Sequence, residues 1–274
     1  MSTPNSAAQI PESTIAEVAR ALLQSRHLLV LSGAGISKES GIPTFRDAQE
    51  GLWARFDPME LATPQAFRSH PKRVWDWYEY RRALLANARP NAGHRAIAEL
   101  EALVDEVVVI TQNIDGLHRE AGSHDVIPIH GDIRKNKCSA NCRGNPTYVD
   151  VSALEWDTDA GPPRCPHCGA YVRPDVVWFG ENLPSALLDR AERLCRTADV
   201  MLVVGTSGVV QPVASFPFIA ARSGAVIVEV NPDTTPITPI ARWHLAGPSG
   251  KLLPRVVAAM RALRAGDTAG ADDA

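Results

Sequence analysis

Four of the five cysteines fall in two pairs, Cys138-x3-Cys142 and Cys165-x2-Cys168, with 22 residues between them. That spacing suits four thiolates around zinc, and a complete thiolate shell leaves no position for water, so such a metal would be structural. Two disulfides are the other reading, which requires an oxidising compartment. His167 reads as a spectator within the second pair, and Cys195, in a helical run, as core. A second chemical cluster is SGAGISKESGIPTFR, residues 32–46. Backbone N–H groups of Gly33, Ala34 and Gly35 can approach a pyrophosphate closely, and a following helix would add its N-terminal partial positive charge. A plain turn would also use these residues. Lys38 stands where the dehydrogenase fingerprint needs its third glycine, and neither the later acidic residue nor a Gly-Lys-Ser/Thr ending is present. The remaining reading is a dinucleotide site with an added segment, in which Phe45 excludes water and Arg46 pairs with phosphate or supports the loop.

Positioning these groups requires a scaffold. Apolar runs at Leu28–Leu31, Val107–Ile110, Val126–Ile129, Val200–Val204 and Ala225–Val230 read as buried parallel strands. Helix-period segments at Ser13–Gln24, Ala92–Leu103, Pro184–Arg196 and Pro212–Arg222 read as crossovers, the last two starting with a first-turn proline. The pattern implies an α/β fold with an open, doubly wound, Rossmann-like parallel sheet. Ligands of such sheets sit beyond the carboxyl ends of the strands. Every run here ends in small or polar residues: Ser32-Gly33, Thr111-Gln112-Asn113, His130-Gly131, Gly205-Thr206-Ser207 and Asn231. Turns favour the same residues, but five such ends on one sheet edge describe a site.

Two stretches depart from this alternation. Residues 48–90 hold three of the six tryptophans, and residues 134–173 hold four of the cysteines among Pro, Gly and Asn. The expected organisation is a sheet domain from 13–47, 91–133 and 174–262, an inserted smaller lobe from 48–90 and 134–173, and loose ends at 1–12 and 265–274. The formal net charge is −3. No basic excess points to nucleic acid. No apolar stretch is long enough for a membrane span or a secretory signal, so a cytoplasmic protein is the expectation.

The runs GAGISKESGIPTFR, PNAGH, TQNIDGLH, HG, the cysteine pairs, RPDVVWFGE, GTS and VN occur in one order over about residues 28–255. In that combination the chain resembles the sirtuins, NAD-dependent protein-lysine deacylases. The resemblance implies that NAD is consumed: the acyl oxygen attacks C1′ of the nicotinamide ribose, nicotinamide leaves, and O-acyl-ADP-ribose and free lysine result. His130 then matches the general base, for which a pKa near 6.5 is suited, while His118 reads as a structural neighbour. Asn113 and Asp115 match the residues lining the nicotinamide pocket, with Asn113 counted among the catalytic groups. Gln112, Gly205, Thr206, Ser207 and Asn231 resemble ribose and phosphate contacts, and Ser249 an adenine-side contact. Val177, Phe179, Gly180 and Glu181 match the segment that pairs with the substrate backbone by strand addition; Val176–Phe179 also reads as a core strand. Acylated-lysine proteins are the implied partners. Mono-ADP-ribosyl transfer and a non-catalytic NAD or ADP-ribose sensor are the rival functions.

Tyr78 and Arg81 are three apart, so a helix places them on one face. They match the Tyr-x-x-Arg pair with which class III sirtuins recognise succinyl, malonyl and glutaryl groups, and Thr44, in place of a frequent aspartate, fits the same class. A guanidinium binds a carboxylate through two parallel hydrogen bonds and a tyrosine adds a third. An aromatic core stripe with a solvated arginine would use the same residues.

Overall fold

In the computed structural model, the structure describes residues 10–43 and 58–271. Along the chain, α1 (Glu12–Leu23) leads into β1 (His27–Ser32), followed by a 3-10 segment, Ala34–Ser40. Next come α2 (Pro58–Leu61), α3 (Pro64–Ser69), α4 (Pro71–Ala86), α5 (Ala92–Leu100), β2 (Glu106–Thr111), α6 (Leu117–Glu120) and β3 (Val126–Pro128). The rest is β4 (Gly131–Cys138), β5 (Val172–Val176), α7 (Ser185–Thr197), β6 (Val200–Val204), α8 (Phe216–Arg222), β7 (Val226–Val230), β8 (Trp243–Leu245) and α9 (Ser249–Ala271).

Six strands form one parallel sheet in the order β3-β2-β1-β6-β7-β8. From β1 the chain builds outward in both directions, so the switch point lies between β1 and β6, where a crevice opens beyond the strand ends. Both faces are covered, which is why the strands read as continuous apolar runs. Leu28 and Val30 pack with α1, α5 and α9 on one face; Leu29 and Leu31 pack with α7 and α8 on the other. Neighbouring strand ends are in register: Ser32 stands opposite Thr111 and Val204. Among the described residues, no helix is long and apolar enough to cross a membrane.

A second, antiparallel sheet pairs β4 with β5. One apolar cluster beside it joins Phe67, Val74 and Tyr78 to Ile133, Val176 and Trp178; another joins Trp75 to Cys138, Cys165 and Val172. Helix α4 contributes to both. Thr63 caps α3, its hydroxyl accepting from Ala66 N–H at 3.1 Å, with Pro64 in the first turn.

Several elements differ from the sequence reading. Strand β8, only three residues long at the sheet edge, carries too little periodicity to stand out. The stretch read as one helix from Pro212 divides into a 3-10 turn, Val213–Ser215, and α8, and Pro184 serves as the N-cap of α7 instead of its first turn. Neither end is wholly loose. Arg255 donates to the Ile10 carbonyl at 2.9 Å and pairs with Glu12 at 2.5 Å, and the α9 backbone stays helical to Ala271. Alanine-rich sequence propagates an established helix at little cost.

Candidate active site

The glycine loop lies against the loop after β6. Gly33 N–H donates to Val204 O at 3.0 Å and Gly35 N–H to Gly205 O at 2.8 Å. A Cβ on Gly33 or Gly35 would come within 2.8 Å of this backbone. The glycines therefore serve first to let two strand ends touch. Of the three N–H groups expected to face a pyrophosphate, only that of Ala34 has no partner among the described residues. The loop runs into the 3-10 segment Ala34–Ser40, so the expected α-helical N-terminus is absent there. Phe45, Arg46 and Thr44 lie outside the described residues.

Side chains from the 3-10 segment, α5 and the end of β2 form a polar layer beneath this loop. Asn91 caps α5, its Oδ1 accepting from Gly93 N–H at 2.8 Å, while its own N–H donates to His94 Nδ1 at 3.4 Å. Accepting at Nδ1, His94 carries its proton on Nε2, which lies 3.5 Å from Ser37 Oγ. Ser37 Oγ accepts from Asn113 Nδ2 at 3.1 Å and donates to Asp115 Oδ2 at 2.7 Å. Asp115 Oδ1 accepts from Leu117 N–H at 2.9 Å. Ser32 Oγ donates to Thr111 Oγ1 at 2.9 Å, so the 2.8 Å contact from His118 Nε2 to Ser32 Oγ has the imidazole as donor. The PNAGH run is thus the support beneath the glycine loop. Ser37 and His94 drew no role of their own from sequence, because each acts only through a residue far away in the chain.

Burial sets the protonation of this layer. It lowers the pKa of His94 to about 4, with Arg95 adding to the effect, and that of His118 to about 3, with His94 adding to it. Burial raises the Asp115 pKa, against the hydrogen bonds from Leu117 and Ser37. Asn113 Nδ2 also donates to Gly33 O at 3.1 Å, which leaves Asn113 Oδ1 as an acceptor with no partner among the described residues.

His130 follows β3 and is half-buried. Its Nδ1 lies 3.1 Å from the Gln112 carbonyl, which can only accept, so the proton sits on Nδ1 and the Nε2 lone pair is open. Burial lowers its pKa below 6.5, the bond to Gln112 opposing. At neutral pH this imidazole is a base. Gln112 Nε2 donates to Thr206 Oγ1 at 2.8 Å, and Asn231 Nδ2 to Thr206 O at 2.8 Å, which joins three strand ends. Gly205 and Ser207 lie on the same rim, half-buried. Ser249 begins α9 beside Gly93, and its buried Oγ has no hydrogen-bond partner among the described residues. One supporting residue that sequence reading missed is Glu229, which is fully buried and accepts from Thr235 and Thr238 hydroxyls at 2.5 Å each, tying down the loop after Asn231.

The segment after β5 is not a core strand. Val177 N–H donates to His130 O and Phe179 N–H to Ala62 O, both at 2.9 Å. The Val177 carbonyl has no partner among the described residues, and Gly180 is exposed. The Glu181 carboxylate is committed internally, to Arg173 at 2.5 and 2.9 Å and to Trp178 N–H at 2.9 Å. Burial works against its charge, but Arg173 and Trp178 hold its pKa below the usual value.

Tyr78 and Arg81 share a face of α4, as their spacing predicts. Tyr78 is buried, and the Arg81 guanidinium lies 4.8 Å from the Trp77 ring and 5.6 Å from the Tyr78 ring. No carboxylate lies within ion-pair distance of Arg81 among the described residues. Arg82, by contrast, donates to Ile133 O at 2.7 Å and Asn136 Oδ1 at 2.7 Å and pairs with Glu79 at 2.5 Å. Burial lowers the Arg81 pKa, with Tyr78 and the Asp115 carboxylate opposing, and an arginine stays charged even so.

The four cysteines come together with all sulfurs within 4.8 Å of one another. Two Sγ–Sγ distances, Cys138 to Cys168 and Cys142 to Cys165, are 3.5 and 3.8 Å. A tetrahedral shell with Zn–S bonds of about 2.3 Å has sulfur–sulfur edges of roughly 3.8 Å. The donor set and its spacing therefore fit one structural zinc.

A model of the Sir2 family matches residues 33–212. The NAD-dependent protein deacylase of Pyrococcus abyssi is 48% identical over 249 residues, covering 91% of this chain and 99% of its own. NAD-dependent protein deacylase 1 of Caldanaerobacter subterraneus is 53% identical over 218 residues, 79% of this chain and 87% of its own. A crystal structure of a Sir2 homologue in complex with NAD superimposes with a TM-score of 0.83 at 45% identity, covering 93% of this chain and 95% of that one. A Sir2 complex with a p53 peptide and NAD⁺ gives 0.75 at 35% identity, covering 88% and 95%.

Proposed function

The chain belongs to the Sir2 family, and from that premise we propose that it removes acyl groups from protein lysines at the expense of NAD, preferring succinyl, malonyl or glutaryl over acetyl. The observation that carries the preference is the Arg81 guanidinium, without a carboxylate partner among the described residues, beside Tyr78 in the lobe next to the strand-end cleft. A carboxylate-bearing acyl chain gives that guanidinium a carboxylate partner through two parallel hydrogen bonds. An acetyl group leaves it without one.

When bound, NAD supplies the electrophilic ribose carbon from which nicotinamide departs. The residues present fit such a ligand: the Ala34 N–H, Asn113 Oδ1 and buried Ser249 Oγ are polar atoms without partners among the described residues, near the strand ends where such sheets bind their ligands. Asn113 and Asp115, held rigid by Ser37, bind the carboxamide. Gln112, Thr206, Ser207 and Asn231 align the ribose and phosphate groups, and the Val177 carbonyl and Gly180 offer backbone pairing to the peptide. His130 takes a proton from a ribose hydroxyl at Nε2, its ring orientation fixed by Nδ1–H donating to Gln112. Fixed positioning of this kind supplies most of the help that a weak nucleophile needs. The main sheet and the lobe with α4 and the cysteine tetrad act as two units, the lobe's two-stranded sheet reaching past the boundaries expected at 133 and 174.

The test uses NAD with matched succinyl- and acetyl-lysine peptides, read by mass spectrometry. Succinyl turnover should exceed acetyl turnover, and Arg81→Met should cost about 1.5–3 kcal/mol in transition-state binding for succinyl-lysine and much less for acetyl-lysine. Equal losses on both peptides overturn the preference. Label from NAD retained on protein would favour mono-ADP-ribosyl transfer, and failure to release nicotinamide would favour a sensor.

A further inference from the structure

Tyr78 and Trp178 are 100 residues apart and meet through one polar contact, Trp178 Nε1 to Tyr78 Oη at 2.8 Å. An indole N–H only donates, so the phenol oxygen accepts there. The Arg81 guanidinium, another group that only donates, lies against the same phenol. The phenol proton is consequently the one hydrogen bond Tyr78 has left to give. Burial raises the Tyr78 pKa, so that proton is retained at working pH.

Trp178 is itself held from several sides. Arg173 Cζ lies 3.3 Å from its ring centroid, and the Phe67 ring packs at 5.2 Å. Its backbone N–H is taken by Glu181, whose carboxylate also grips Arg173, and Arg173 in turn donates to Val176 O at 2.8 Å. The residue is 2% exposed. Its backbone lies between Val177 and Phe179, in the segment read as the peptide-binding edge, while its side chain reaches the acyl pair.

We infer that Trp178 is a positioning residue for acyl selectivity: its indole N–H fixes the Tyr78 hydroxyl so that the O–H is aimed as a donor at the carboxylate of an acidic acyl group. The inference rests on the acidic-acyl reading above. Without the indole N–H, the phenol oxygen loses a fixed donor in a buried site, and its O–H can rotate away from the ligand. A buried tryptophan that only fills space would do nothing of the kind.

The decisive experiment replaces Trp178 with 3-(3-benzothienyl)alanine, which keeps the ring shape and puts sulfur where the N–H was. Trp178→Phe and Tyr78→Phe, singly and together, complete the series. kcat/KM is measured for matched succinyl- and acetyl-lysine peptides, with the melting temperature of each protein. The sulfur analogue should lower succinyl kcat/KM about tenfold, mainly through KM, and acetyl kcat/KM less than about threefold. Combining Trp178→Phe with Tyr78→Phe should lower succinyl activity little further than either alone. Succinyl preference that Arg81→Met removes and the analogue leaves unchanged overturns this inference alone, as does full additivity of the two phenylalanine substitutions. A wild-type enzyme with no succinyl preference overturns both this inference and the acyl reading beneath it.

Discussion

The floor of the cleft and the lobe that carries Tyr78 and Arg81 hold their polar groups by different means. On the floor, Ser32, Thr111, Asn113 and Thr206 stand at the ends of adjacent, registered strands, where β-sheet pairing brings them together. In the lobe, Tyr78, Trp178, Arg173 and Glu181 are placed by side-chain contacts between a helix, a turn and a two-stranded sheet, beside a cysteine tetrad. The floor inherits its precision from the main sheet. The lobe has to make its own, and the consequence is that chemistry and selectivity should fail separately.

The largest effect should come from the floor. His130→Ala is expected to lower turnover of succinyl- and acetyl-lysine alike by about 10²- to 10⁴-fold, leaving their ratio in place. In the wild type, the acid limb of kcat/KM should lie below pH 6.5, because burial depresses the His130 pKa. A changed substrate ratio, or a limb above 6.5, would break the division between the two regions.

Removing zinc probes the lobe. Metal analysis should find one zinc per chain. Chelation, or Cys138→Ser, should loosen the cluster that packs Cys138 and Cys165 against Trp75, which lies on the same helix as Tyr78 and Arg81. Peptide KM should rise about tenfold to a hundredfold while calorimetric NAD affinity changes little. Equal losses of both would mean that the floor depends on the lobe after all.

The last effect is on acid stability and returns to the floor. His94 and His118 have folded pKa values of about 4 and 3, below the unfolded value near 6.5. Stability from keeping them neutral is complete above about pH 6.5 and is lost as pH falls toward 4 and then 3, by up to about 1.4 kcal/mol per pH unit for each ring. Denaturant melts between pH 7.5 and 5 should show this slope, and His118→Asn should flatten it. An unchanged slope in that variant would mean that His118 does not contribute to it.

The two regions were also unequally legible. The five apolar runs, each ending in small or polar residues, announced a parallel sheet with its site at the strand ends, because burial on both faces imposes continuous apolar sequence. The cysteine spacing announced a metal shell, since ligand geometry restricts loop lengths. Tyr78 and Arg81 could be placed on one face by helical period alone. The sequence by itself thus determined every feature set by local period, by spacing or by residue chemistry.

Tertiary structure decided the rest. Neighbouring Arg81 and Arg82 look equivalent in sequence, yet folding commits Arg82 to Ile133, Asn136 and Glu79 and leaves Arg81 without a carboxylate among the described residues. The Glu181 carboxylate looks free in sequence, yet folding commits it to Arg173 and the Trp178 N–H. The glycine loop reads as a phosphate cradle, while two of its N–H groups go to Val204 and Gly205. Each outcome turns on which distant group reaches a hydrogen-bonding atom first, and side chains scores of residues apart acquire that adjacency only when sheet, helix and lobe pack together.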